Sequence, residues 1–130
     1  TAGPDSVVRR TEVDRLHYIG CGVRQRGTTE ILRHARFSGL LAHLTQGYDF
    51  VLLTAPPVLG FADAAIVGQF ANLNLMVLRS AEHRQDEIRD AAGRLRVAGV
   101  PVAGAILNRV GERASSYGYR GYGHPRHQYA

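Results

Sequence analysis

Hydrophobic and polar positions follow different periods along this chain, and each change of period marks an element. From Thr28, a suitable N-cap with Glu30 in the favourable first turn, apolar residues at Ile31, Leu32, Ala35, Phe37, Leu40, Leu41 and Leu44 keep helical spacing. That predicts one helix, or two with a break near Arg36. Upstream, residues 1–15 are polar with weak strand signals at Val7–Val8, and Leu16–Gly20 reads as a short strand stopped by glycine. After Gln46-Gly47, the continuous apolar run Phe50–Leu53 reads as a strand buried on both faces and ended by Pro56-Pro57. Asp63 suits an N-cap for a short helix through Phe70, and Leu73–Leu78 forms a second buried strand. Asp86–Ala98 then sets Ile88, Ala91, Ala92 and Leu95 on one helical stripe closed by Gly99, and Val102–Leu107 is a third such strand.

Strand, helix, strand, helix, strand with short connections from residue 50 predicts an α/β fold, a parallel β-sheet with flanking helices, over residues 1–110. Residues 111–130 differ in kind. Gly, Tyr, Arg, His and Ser dominate there and aliphatic residues nearly vanish, so nothing offsets the entropy of ordering and a flexible tail is expected.

Composition changes the picture in two places. With 130 residues and 45% hydrophobic content there is material for one compact domain, and no apolar run approaches the roughly 20 residues needed to cross a bilayer. The single cysteine, Cys21, cannot form an internal disulfide; it reads as a packed small residue at a strand end, and a reducing cytoplasm suits the chain. No Cys/His cluster has the spacing of a structural zinc site, and the pair His124 and His127 in the tail is assigned no metal. Net charge is +5, yet all sixteen basic residues are arginine, scattered from Arg9 to Arg126, which argues against a dedicated nucleic-acid arm. The absence of lysine matters more. A standard phosphate-binding loop needs a Gly-rich turn followed by Lys, and these residues contain none.

Ligands of open parallel sheets bind beyond the carboxyl ends of the strands, here Thr54–Pro57, Arg79–Ser80 and Asn108–Arg109, which are expected to line one edge. A four-residue apolar strand followed by a small polar turn is where a nucleotide-hydrolysing fold places an acidic group for magnesium. Thr54 holds that place.

The segments Tyr48-Asp49-Phe50-Val51-Leu52-Leu53-Thr54-Ala55-Pro56-Pro57-Val58-Leu59 and Ala62-Asp63-Ala64-Ala65-Ile66-Val67-Gly68 resemble the second Walker motif of bacterial tyrosine autokinases, which reads D-T-P-P-(I/V)-L and then D-A-A-I. The resemblance runs from about residue 7 to the tyrosine-rich end and includes Gly99-Val100-Pro101-Val102 and Gly104–Asn108. It implies a partial, deviant P-loop fold corresponding to the C-terminal half of such a kinase domain. It also implies ATP and Mg2+ as cofactors of the parent family, with none expected on this chain alone. By the same resemblance Asn108, Pro56 and Pro57 belong to the nucleotide site, Thr54 stands where the metal-side aspartate is found, and Tyr117, Tyr119, Tyr122 and Tyr129 are phosphate acceptors. The implied setting is the cytoplasmic face of the cell membrane, in capsule or exopolysaccharide export. The partners are the kinase half that carries the phosphate loop and a membrane activator or chain-length regulator, with self-association and without nucleic acid.

Local readings stand beside these. A hydroxyl at Thr54 does not replace a carboxylate, so phosphoryl transfer by this chain alone is not expected. Asn108 either meets an adenine edge or bonds its own turn. Glu30, Arg33 and Arg36 spell a pattern the family uses between subunits, but at another place in the chain, and read as a solvated stripe. Tyr18 and Tyr48 are expected near the folded core and spared from phosphorylation. A degenerate, non-catalytic interaction module of the same export system is the alternative, and a tail that stacks its tyrosines on single-stranded RNA is a further one.

Overall fold

The computed structural model describes residues 3–22 and 28–110. The tail tyrosines and the predicted flexible tail lie outside the described residues.

After a 3-10 turn at Pro4–Ser6, strands β1 (Arg9–Arg10) and β2 (His17–Tyr18) form a small antiparallel hairpin with Arg9 opposite Tyr18 and Arg10 opposite His17. The predicted helical stretch is two helices, α1 (Thr28–Arg33) and α2 (Ala35–Gly47). The break falls at His34, whose backbone is extended (ψ 142°) and whose Nδ1 accepts the Arg36 N–H at 3.1 Å, so the imidazole caps α2. Glu30, Arg33 and Arg36 are exposed. Helix α3 (Asp63–Val67) runs into a 3-10 turn at Gly68–Phe70, followed by β3 (Leu75–Arg79), α4 (Gln85–Val97) and β4 (Gly104–Asn108). β3 and β4 pair in parallel, Leu75 opposite Gly104 through Arg79 opposite Asn108, and α4 is the crossover that a parallel pair requires.

The buried core is Leu41 and Leu44 of α2, Ala64, Ile66 and Val67 of α3, Ala91 and Leu95 of α4, and Val100. Val100 has 1% of its surface exposed and is reached through a tight helix stop. Gly99 takes φ +74°, its N–H donates to Arg96 C=O at 3.0 Å, and the Val100 N–H donates to Leu95 C=O at 2.8 Å. These are the two bonds of a Schellman motif, with Leu95 and Val100 as its apolar pair.

Four sequence expectations are corrected. Phe50–Leu53 joins no ladder among the described residues: Val51 and Leu53 are half-buried, while Phe50 and Leu52 are 87% and 89% exposed. β3 likewise has one face half-covered, with Leu75 and Val77 exposed, because among the described residues nothing packs on its other face. Asp63 does not cap α3; Ala62 holds that position, and the Asp63 carboxylate accepts the Thr29 hydroxyl at 3.1 Å, tying α1 to α3. Cys21 is exposed, as is Tyr18, since among the described residues no layer covers that side of the short hairpin.

Gly68 marks the tightest point of the core. A Cβ there would lie 2.6 Å from Val100 Cγ1 and 3.2 Å from Asn74 Oδ1, whose amide donates to the Gly68 carbonyl at 3.1 Å. Val100 is β-branched and fully enclosed, so it has little freedom to turn away. Gly68→Ala is therefore expected to lower stability by about 1–2 kcal/mol, overpacking outweighing the smaller gain from a stiffer unfolded chain. Urea unfolding measures it, and adding Val100→Ala should recover part of the loss contributed by the clash.

Candidate functional site

The carboxyl ends of β3 and β4 are joined by backbone as well as by register, with the Ser80 N–H donating to the Asn108 C=O at 2.9 Å. Arg79 and Arg109 both turn toward Glu82, at 2.9 and 4.0 Å, and the Arg79 N–H donates to His83 Nδ1 at 2.9 Å. Positive φ at Ala81 (62°) and Arg109 (54°) bends both chains sharply at this edge. The Asn108 side chain is engaged locally, its Oδ1 accepting the Arg109 N–H at 2.8 Å, and on this exposed residue its amide N–H groups have no hydrogen-bond partner among the described residues.

Beyond Phe50–Leu53, Thr54 and Pro57 are exposed and Pro56 is half-buried. The Pro57 carbonyl accepts from Gly60 N–H at 3.1 Å and Phe61 N–H at 3.2 Å, and Arg94 of α4 donates to Leu59 C=O at 3.0 Å, so this loop is steadied from the helix. Among the described residues no hydrogen bond or ion pair links Thr54–Pro57 to Asn108. A shallow hollow between α1, α3 and the 3-10 turn after it, lined by Arg33, Ile66 and Phe70, lies apart from both turns.

The residues present do not fit Mg-ATP. No lysine or Gly-rich loop is available for phosphates, and the turn Thr54–Pro57 offers a hydroxyl and no carboxylate to a magnesium ion. The start of α4 is also unsuited to an anion: Asp86 and Glu87 occupy its first turn, and Glu87 accepts the Arg84 N–H at 3.0 Å. Among the described residues no group of three or more His, Cys, Asp or Glu is placed to hold a metal ion.

No family model matches the chain. Curated relatives do. The chain is 36% identical over 124 residues to the tyrosine-protein kinase Wzc of Salmonella typhimurium, covering 95% of this chain and 17% of that protein. It is 35% identical over 115 residues to the tyrosine-protein kinase Ptk of Acinetobacter johnsonii, covering 88% and 15%. In solved structures it matches the BceF tyrosine kinase domain at 40% identity and a TM-score of 0.75, over 82% of this chain and 44% of that one. Over the stretch it shares with them, the chain belongs to the bacterial tyrosine-protein kinase family.

The kinase domain of VpsO gives the same fold at 27% identity, with a TM-score of 0.78 over 85% of this chain and 54% of that one. The chain thus spans less than a fifth of the Wzc and Ptk kinases and about half of these two kinase-domain structures. Sequence reasoning singled out the turn at Thr54–Pro57 but gave no sign of the Arg94 anchor on Leu59, distant in sequence, or of Arg109 approaching Glu82, which the strand register brings about, whereas the Arg79–Glu82 pair is local. No described helix is long and apolar enough to cross a membrane.

Proposed function

We propose that this chain is the acceptor-bearing part of a bacterial tyrosine kinase that serves capsule or exopolysaccharide export, and that it does not transfer phosphate by itself. The observation that carries the reading is the kinase-family match across the chain combined with Thr54, exposed and without a hydrogen-bond partner among the described residues, where the motif calls for a carboxylate. In this reading Tyr117, Tyr119, Tyr122 and Tyr129 take the phosphoryl group from ATP bound elsewhere. Asn108, Pro56 and Pro57 border a nucleotide only when another kinase portion supplies the phosphate loop. That portion, a membrane activator or chain-length regulator and further copies of the chain are its partners, at the cytoplasmic face of the membrane. Each phosphate adds about −1.5 to −2 charge, so the modified tail changes from basic to strongly acidic and changes what it docks on.

A second reading is favoured by one observation, the uncovered Phe50 and Leu52: a degenerate domain retained for association alone. Incubation with an active tyrosine kinase domain and Mg-ATP, followed by phosphopeptide mapping, separates the two. Phosphate is expected on the tail, and replacing all four tail tyrosines by phenylalanine should remove it from that peptide entirely. A tail that stays bare beside an active kinase leaves only the association role.

A further inference from the structure

The two tyrosines upstream of the tail differ in what holds their hydroxyls. Tyr48 is half-buried at the end of α2, where its N–H donates to Leu44 C=O at 3.0 Å. Its hydroxyl is hydrogen-bonded to His17 Nδ1 at 2.7 Å, the two rings meeting edge to face with centroids 5.6 Å apart. Tyr18 is 56% exposed, and among the described residues its hydroxyl has no hydrogen-bond partner. Its ring lies beside Gly20, where even an added Cβ would stay 4.0 Å away. The hairpin sets Arg9 directly across from Tyr18. Residues so opposed share a face, with Cβ atoms about 4.5–5.5 Å apart, which brings the guanidinium within reach of a group on the phenol.

We infer that Tyr18 is a further phosphorylation site whose phosphate is received by Arg9, and that His17 withholds Tyr48 from the same modification. The inference rests on the reading of this chain as a kinase substrate. In the modification, the phenol oxygen of Tyr18 gives up its proton to a base of the acting tyrosine kinase and bonds to the γ-phosphorus of the ATP which that kinase holds. The bond from that phosphorus to the β,γ-bridging oxygen breaks, and ADP leaves. The product carries three acceptor oxygens facing a planar guanidinium, a geometry suited to paired charge-assisted bonds. Two-residue strands make a marginal hairpin, and a phosphate-to-Arg9 bond would tie them through their side chains.

The test uses the full chain with its four tail tyrosines replaced by phenylalanine, alongside the unaltered chain, each incubated with an active bacterial tyrosine kinase domain and Mg-ATP. Peptide mapping is expected to find phosphate on Tyr18 in both chains and none on Tyr48. Amide exchange across Arg9–Thr11 should slow roughly two- to five-fold on modification, the size an exposed charge pair supports, and Arg9→Ala should abolish the slowing. Phosphate on the tail with none on Tyr18 overturns the inference, and so does phosphate on Tyr48. Slowing that persists in Arg9→Ala overturns the role of Arg9. Phosphate on Tyr18 beside a bare tail sustains the inference while removing the acceptor-tail reading.

Discussion

Mg-ATP titrated into this chain is expected to release no measurable heat, with any affinity weaker than about 1 mM. Three features combine to that result. Phosphates are held in such folds by backbone N–H groups of a Gly-rich loop and a lysine, and neither occurs in these residues. Magnesium prefers carboxylate oxygens, and the turn after Leu53 offers Thr54. The N-terminus of α4 carries its own acids, Asp86 and Glu87, so it repels an added anion. Calorimetry with magnesium and ATP decides the matter: micromolar binding would mean that a phosphate cradle exists in a form the residues do not suggest.

The second large effect concerns association. Phe50 and Leu52 are exposed on a segment that joins no ladder among the described residues, and Leu73, Leu75 and Val77 add exposed apolar surface. Natural sheets guard such edges with charge, whereas residues 50–57 carry none. The chain is therefore expected to self-associate at high micromolar concentration, or to bind a kinase portion that covers this surface. Replacing both Phe50 and Leu52 by lysine should return it to a monomer in light scattering. A clean monomer before any substitution would count against the segment as an association surface.

Much of this fold is legible because its signals are local. The stripe Ile88, Ala91, Ala92, Leu95 with Gly99 after it places α4 within a residue of where it stands, and the apolar runs find β3 and β4 to within about two residues. What the pattern misses depends on partners distant in the chain. A short apolar run announces a strand but not what pairs with it, so Phe50–Leu53 reads as a strand and yet joins no ladder among the described residues. Asp63 looks like a cap because Asp often is one, yet Thr29, far upstream, takes its carboxylate. Tyr18 looks like core from its apolar neighbours, but among the described residues no second layer lies over the two-residue hairpin to bury it. At the turns, the hydroxyl of Thr54 is visible in sequence alone, whereas neither the bond that Asn108 Oδ1 accepts from the Arg109 N–H nor the positive φ of Arg109 beside it is one that residue-type preference would assign.

The stop of α4 has a consequence for how the molecule comes apart. Val100, the most enclosed side chain among the described residues, follows directly on the left-handed Gly99, and its methyl groups fill the space left by the missing side chain of Gly68. Helix termination, filling of the core and the approach of the 3-10 turn are thus one event. Fraying α4 from its C-terminal end withdraws Val100 from its seat, and withdrawing Val100 removes the support of both Leu95 and Gly68. Residues 64–108 should accordingly melt in a single cooperative step, with helical circular dichroism and a core probe tracing the same curve.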